Sequence, residues 1–423
     1  MNALFFLFVC YLLSPKIDLI TLAGAAIRPE DFISLVALLI YLNKKNRRPV
    51  HIPPWVRSYI VLIILGLISA LVNFQREGAV SMLFGVRLIQ YLVWFFIIFE
   101  SSATLNPRVM RASFLLLSSI FILWGGLEYF GFIEKIGKFA GASQRLTINT
   151  TGPFETSVML AILAYATPQA AVGSILVIMI YLTQARVTVL AAVTSFLAMR
   201  PGRGLVIAIV GGIMAMAIAA PLMSLLKESR FAESQSPVAM VQLLADGWRK
   251  VPAVEDPAYY RDRFLTGDTL FHYLYDTDGD LSFKMRAVRW PLVVKSTLYS
   301  PIHFVIGWGP GAWGVALDSY YVRIFGETGI LGLAAFLWWL ITMFRGLHRE
   351  GTAKFTVVMM AIVAVFIDIF TSSKVMPLLW AFVALEHARH ISAFPKLYAQ
   401  RRRQRVLPSP TLAHQQSSAE AGA

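Results

Sequence analysis

The chain has 423 residues, of which 57% are apolar and only 15% charged, with a mean hydropathy of +0.64. No soluble domain of this size carries so much apolar surface, so composition implies an all-α polytopic membrane protein. The single cysteine, Cys10, excludes an intrachain disulfide and a cysteine-based metal site. A net charge of +14 would suggest nucleic acid in a soluble protein. Here the charge is concentrated in "NKKNRRP" (43–49), "RPGRG" (200–204), "RGLHREGTAK" (345–354) and "KLYAQRRRQR" (396–405), each flanking a hydrophobic run. These are positive-inside markers whose partners are anionic membrane lipids, and no nucleic-acid partner is expected.

In chain order, apolar runs centre on 3–14, 31–43, 58–73, 81–99, 110–131, 156–168, 170–184, 187–199, 204–226, 319–344, 355–372 and 375–391. "AGA" at 23–25 has the spacing of a signal-peptide cleavage site. The segment before it lacks a basic start, and Pro15, Lys16 and Asp18 interrupt its apolar core, so cleavage is not expected. Twelve crossings with both termini cytoplasmic put every basic cluster on the inside. The three short runs between Thr156 and Ala198 allow a tight helical hairpin beside one true span, which preserves the parity. The chain then divides into N-terminal transmembrane helices (1–226), a large periplasmic loop (227–318), C-terminal transmembrane helices (319–393) and a basic cytoplasmic tail (394–423) with the composition of a disordered terminus.

From 227 to 295 the loop balances ten basic against ten acidic residues, unlike the cytoplasmic flanks. Its amphipathic pieces "PVAMVQLLADGWRKV" and "FKMRAVRWPLVVKSTL" are expected to form helices on the outer membrane surface. Charges at the edges of apolar runs (Arg87, Glu128, Arg145, Arg186, Arg323, Glu327 and Asp368) all fall toward the outer side. Some are expected to pair, for example Arg87 with Glu128 or Asp368; together they suggest a polar chamber open to the periplasm.

"GPGAWG" (309–314) fits G-x-G-x-x-G, but a dinucleotide site requires a βαβ unit, so these glycines are assigned to a sharp turn or to close approach of backbone to a ligand. "DTDGD" (276–280) lacks the spacing of a calcium loop, because position 287 is alanine, and is expected to be a solvated acidic turn. Neither a cofactor nor a metal site is expected.

Four segments carry a resemblance: "QRLTINTTGPFETSVMLAI" (144–162), "LTQARVTVLAAV" (182–193), "KMRAVRW" (284–290) and "GWGPG…DSYYVRIFGETGILGLAAF" from Gly307. In order and sidedness the chain resembles the O-antigen polymerase and ligase superfamily. The resemblance implies a GT-C-like glycosyltransferase of the bacterial inner membrane, acting at the periplasmic face without nucleotide sugar or metal. The donor would be a glycan on undecaprenyl pyrophosphate and the acceptor a sugar hydroxyl. A flippase and a chain-length regulator of the same pathway are the implied protein partners. Ligase-like members usually begin the last motif with His-Asn, where this chain has Asp318-Ser319, and "TGPFETS" is closer to polymerases than the "NPN" of ligases. The expectation is therefore a polymerase for O-antigen or exopolysaccharide. The alternatives are a ligase that transfers the glycan to lipid A core and a polysaccharide transporter without catalysis.

The chemistry selects the residues. A departing pyrophosphate must have its charge stabilised, and guanidinium groups grip phosphate through paired hydrogen bonds. Arg186, in the family's R-x3-L spacing, is the first candidate, followed by Arg145, Arg286 and Arg289; lipid-headgroup contact is the alternative role of the last two. The acceptor hydroxyl needs a proton acceptor, and Asp318 occupies the position of the family's histidine, although Asp before a helix is often only its N-cap. Tyr320 and Tyr321 are expected to stack on sugars, with Arg323 as a further substrate contact. Arg323 and Glu327 are spaced to bridge, and Gly326, Gly329 and Gly332 form a stripe for a close helix neighbour.

Overall fold

The computed structural model describes residues 2–22, 25–45, 47, 52–135, 145–150, 152–199, 237–255, 257, 281–314 and 317–393. The run at 204–226, the basic cluster at 200–204, the "DTDGD" turn and the tail from 394 lie outside them.

The described residues are mainly helical. In chain order they form α1 (Ala3–Leu13), a small hairpin of β1 (Ile20–Leu22) and β2 (Ala25–Ile27), α2 (Pro29–Asn43), α3 (Pro54–Val72), α4 (Phe74–Ser102), α5 (Pro107–Tyr129), α6 (Pro153–Ala166), α7 (Ala170–Leu182) and α8 (Arg186–Met199). There follow α9 (Pro237–Lys250), α10 (Leu281–Tyr299), α11 (Pro301–Ile306), α12 (Tyr320–Gly346), α13 (Thr352–Val363) and α14 (Val375–Ala393). Several helix starts are written into the sequence by proline at the first turn, as at Pro29, Pro54, Pro107 and Pro153. There proline's fixed φ suits the helix and its missing N–H costs nothing.

Among the described residues, four helices are long and apolar enough to cross a membrane: Pro54–Val72, Ser81–Ser102, Pro107–Tyr129 and Tyr320–Gly346. Among the shorter ones, α6 and α7 pack together across a three-residue connection, the hairpin that run length suggested. The β1–β2 hairpin pairs Ile20 with Ile27 and was not anticipated.

The helices alternate in direction, so their ends sort into two groups. At one end Lys44 of α2 approaches Glu100 of α4, Tyr165 of α6 donates to the Glu350 carbonyl, Asn2 donates to Thr104, and the Ala353 amide donates to Glu386. Here lie Lys44, Lys45 and Arg47 and the basic connection at 345–352. At the opposite end gather the hairpin, the 145–152 segment, the Thr183–Ala185 turn and the approach to α12. The core between them is aromatic: Tyr59 and Trp339 pack at 4.9 Å, Tyr59 and Trp380 at 4.9 Å, and Phe95 lies beside Trp380.

Two expected helices are interrupted. The run 355–372 is not one span, because α13 stops at Val363 and an irregular stretch, 364–374, leads to α14. Irregular backbone in an apolar bundle survives only where its polar groups find partners. Ala364 O accepts from Tyr320 N at 2.9 Å, Thr371 O from the Tyr91 hydroxyl at 2.7 Å, and Ser373 O from the Tyr11 hydroxyl. The second break is in α12, where Gly329 adopts φ 66°. The carbonyls of Gly326 and Glu327 accept from Trp308 N and Gly309 N, each at 2.9 Å, and Glu327 O also accepts from Ser69 Oγ at 2.7 Å.

Gly329 is therefore a bend, and the backbone of α11 at Val305 and Ile306 comes close against it, as the glycine stripe suggested. Within that stripe Gly326 faces Val293 and Trp313, while Gly332 faces its own helix's Thr328. The glycine loop has positive φ at 307, 309, 311 and 314, and its backbone approaches α12 rather than an exposed cradle.

Helices form at both amphipathic pieces of the long loop, but not as two separate surface helices. α9 packs on α10 at Gly247, where a Cβ would lie 1.9 Å from the Ala287 carbonyl. α10 turns Phe283, Ala287, Val288 and Leu292 into protein, so its apolar face is already covered. Val238, Val241 and Trp248 of α9 remain exposed.

A methyl group on Gly329 would meet the Val305 carbonyl at 2.4 Å in a backbone conformation that alanine avoids. Gly329→Ala is expected to cost about 1–3 kcal/mol of stability. Gly66→Ala, with no atom within 4 Å of the new carbon, should be neutral. Thermal unfolding of both variants in detergent, followed by intrinsic fluorescence, checks the contrast.

Candidate functional site

The polar end of the bundle holds three linked groups of charges. The first is set by α10 and the approach to α12. Trp290 Nε1 donates to Leu317 O at 3.2 Å and pins the chain just before Asp318. Arg286 Nε then lies 3.9 Å from Asp318 Oδ2. Arg286 is buried in the fold, which removes headgroup contact as its explanation, and Asp318 keeps 31% of its side chain exposed. Arg289 is half-buried one turn further along α10.

Asp318 is not the helix cap. Ser319 is the N-cap of α12, its Oγ accepting from Val322 N at 3.5 Å. Asp318 instead has φ 55°, a left-handed conformation that Asp and Asn tolerate better than most residues.

The second group surrounds the Thr183–Ala185 turn between α7 and α8. Leu146 N donates to Leu182 O and Arg145 Nε to Thr183 O, at 3.3 and 3.1 Å. The Arg145 guanidinium lies 4.9 Å over the Phe154 ring. Arg186 opens α8 directly after the same turn, half-buried, so the two arginines flank one short stretch of backbone.

The third group is buried. Arg323 bridges Glu327 at 3.0 Å through the expected i, i+4 spacing, pairs with Asp368 at 2.5 Å and donates to Gly314 O at 2.9 Å. Lys16 pairs with Glu155 at 2.9 Å, and Glu155 also accepts from the Ser372 hydroxyl. Lys374, fully buried, donates to Tyr11 O at 2.6 Å and Ser14 O at 2.7 Å, with Glu30 3.6 Å away. These groups join the site together, because Lys16 N donates to Asn149 O in the Arg145 segment and Asp368 feels the charges of Arg323, Asp318 and Lys16.

Several expectations need correction. Arg323 is 2% exposed and engaged by protein on three sides, so it does not face a substrate. Tyr320 is buried between Phe336 and Phe370, and the Tyr321 hydroxyl donates to Ala361 O with its ring edge-on to Phe336. The Tyr320 ring is committed to packing instead of sugar stacking, whereas Tyr321 is half-buried. Arg87 pairs with neither Glu128 nor Asp368: it donates to Ala26 O at 2.7 Å, while Glu128 accepts from Thr147 N and Oγ1.

Sequence reasoning missed Lys16, Glu30, Glu155 and Lys374. The available signal was one or two charges in each short polar break between apolar runs, "SPK", "PED", "FETS" and "TSSK".

Breaking a buried ion pair on one side costs about 3–5 kcal/mol, because the remaining charge is stranded. Lys374→Met is expected to lose that much stability, and adding Glu30→Gln should recover most of it; thermal midpoints in detergent test this. Compared with known proteins, the chain matches no family model and no curated protein, so the functional reading rests on its own residues.

Proposed function

We propose that this chain is a polysaccharide polymerase of the bacterial inner membrane. It extends undecaprenyl-pyrophosphate-linked repeat units at the periplasmic face within a GT-C-like bundle of about twelve spans. The observation that carries the reading is a partly exposed carboxylate, Asp318, 3.9 Å from the Arg286 guanidinium at the polar end of an apolar bundle. The basic connections lie at the other end, which the positive-inside rule assigns to the cytoplasm.

In the proposed step an acceptor sugar hydroxyl attacks the anomeric carbon of the donor glycan. Its proton passes to the Asp318 carboxylate as the new carbon–oxygen bond forms. The anomeric carbon–oxygen bond to pyrophosphate breaks, and undecaprenyl pyrophosphate departs with the electron pair. Arg286, with Arg289 beside it, meets the growing negative charge; Arg186, half-buried at the start of α8, offers a second anion-binding edge, while Arg145, buried and bonded to Thr183 O, holds the turn before it. No nucleotide is consumed, since the pyrophosphate linkage supplies the driving force.

Asp318→Asn is the direct test. Asn tolerates the left-handed backbone and keeps the side chain's shape, but it cannot accept the proton. The substrate for the assay is the lipid-linked oligosaccharide extracted from the source bacterium after deletion of this chain's gene. Purified wild-type protein should lengthen it, and Asp318→Asn should do so about 100-fold or more slowly at unchanged thermal stability. Normal extension by the variant removes Asp318 from the base role. Transfer of the glycan to lipid A core without lengthening would favour a ligase, and movement across vesicles without either reaction a transporter.

A further inference from the structure

We propose that Arg323 is a positioning residue whose guanidinium fixes the glycine loop, and through it Asp318; this rests on the reading of Asp318 as the proton acceptor. Three contacts radiate from one buried fork. Nη2 donates to the Gly314 carbonyl at 2.9 Å, Nη1 bridges Glu327 Oε1 at 3.0 Å, and Nε pairs with Asp368 Oδ2 at 2.5 Å. The same Glu327 oxygen accepts from Gly311 N at 2.9 Å. Arg323 thereby holds the loop at Gly314 directly and at Gly311 through Glu327.

The start of the loop is held by the amides of Trp308 and Gly309 on α12, and its own bonds, Ala312 N to Gly309 O and Gly314 N to Gly311 O, close only single turns, so its far end depends on Arg323 and Glu327. Gly307, Gly309, Gly311 and Gly314 all adopt positive φ, where glycine has the most conformational freedom to lose. Gly314 and Asp318 are four positions apart in the sequence, and Trp290 holds Leu317 O just before Asp318, so the anchorage of Gly314 and that of Leu317 together bear on the carboxylate. The Asp368 contact ties the same fork to the irregular 364–374 stretch, whose Ala364 carbonyl receives Tyr320 N just beyond Asp318. Asp318 is therefore held on both sides: by the loop before it, and by the first residues of α12 after it.

A lysine at 323 keeps the charge, but its single ammonium lacks the planar fork that serves three acceptors at once. Arg323→Lys is expected to lower kcat for extension of the extracted lipid-linked oligosaccharide about 10- to 100-fold and to leave KM within about twofold, because misplacing a reacting group by about 1 Å costs on that order. Hydrogen exchange should rise at residues 307–314 and stay unchanged along α3 and α14. Wild-type kcat in Arg323→Lys overturns the proposal. So does a loss of protection across the whole bundle in proportion to lost activity, which marks a purely structural role.

Glu327→Gln serves where the lysine variant does not fold: it keeps an acceptor for Gly311 but weakens the Arg323 bridge. The same kcat loss with local exchange supports the proposal, and full kcat refutes it. Failure of this idea is distinguishable from failure of the proposed function. An inactive Asp318→Asn beside a fully active Arg323→Lys sinks only the positioning role, whereas an active Asp318→Asn sinks the base assignment itself.

Discussion

Two backbone carbonyls, those of Gly326 and Glu327, set the architecture of the polar end. The bend at Gly329 takes them out of the helical ladder, and an unpaired carbonyl in an apolar interior is too costly to leave. The glycine loop answers this need by lying across α12 and presenting the amides of Trp308 and Gly309. Gly307 and Gly329 let the two chains approach so closely: a Cβ on Gly307 would lie 2.2 Å from the Glu327 carbonyl carbon. Once that contact is made, the route from Gly309 to Asp318 is short, and the carboxylate's surroundings follow from it.

The charges in this chain fall into two kinds, separated by exposure. Arg323, Lys374, Glu30 and Glu155 are buried and engaged by protein groups, so their cost is offset by partners they cannot easily leave. Asp318, Arg186 and Arg289 retain exposed surface at the same end of the bundle. The first set makes the scaffold rigid; the second lies where the protein meets its surroundings.

How far the sequence could be read depends on the range of the signal. Helix positions follow from local hydropathy and from prolines such as Pro54 and Pro153, and the Arg323–Glu327 bridge follows from helical spacing. The end of α13 at Val363 was hidden, since 364–370 is nearly as apolar as a span; the stretch beyond it is held by bonding to Tyr320 and Tyr91, both distant in sequence. Asp318 as a cap was a sound local inference overturned by Ser319, one residue later, because Asp318 turns into the left-handed region. Arg286 meeting Asp318 is a contact between two loop-borne segments, and no periodicity announces it. Tyr320 misled for a related reason: an aromatic residue at a helix start looks available until the fold supplies Phe336 and Phe370.

The Glu30–Lys374 pair joins residues 344 positions apart, one beside the first helices and the other just before the last. During synthesis, α1 and α2 emerge long before the ammonium that will sit against them. Until the ribosome has delivered the C-terminal segment, the early helices carry a carboxylate with no counterion in its native niche. Closure around Glu30 must therefore await synthesis of the segment that carries Lys374.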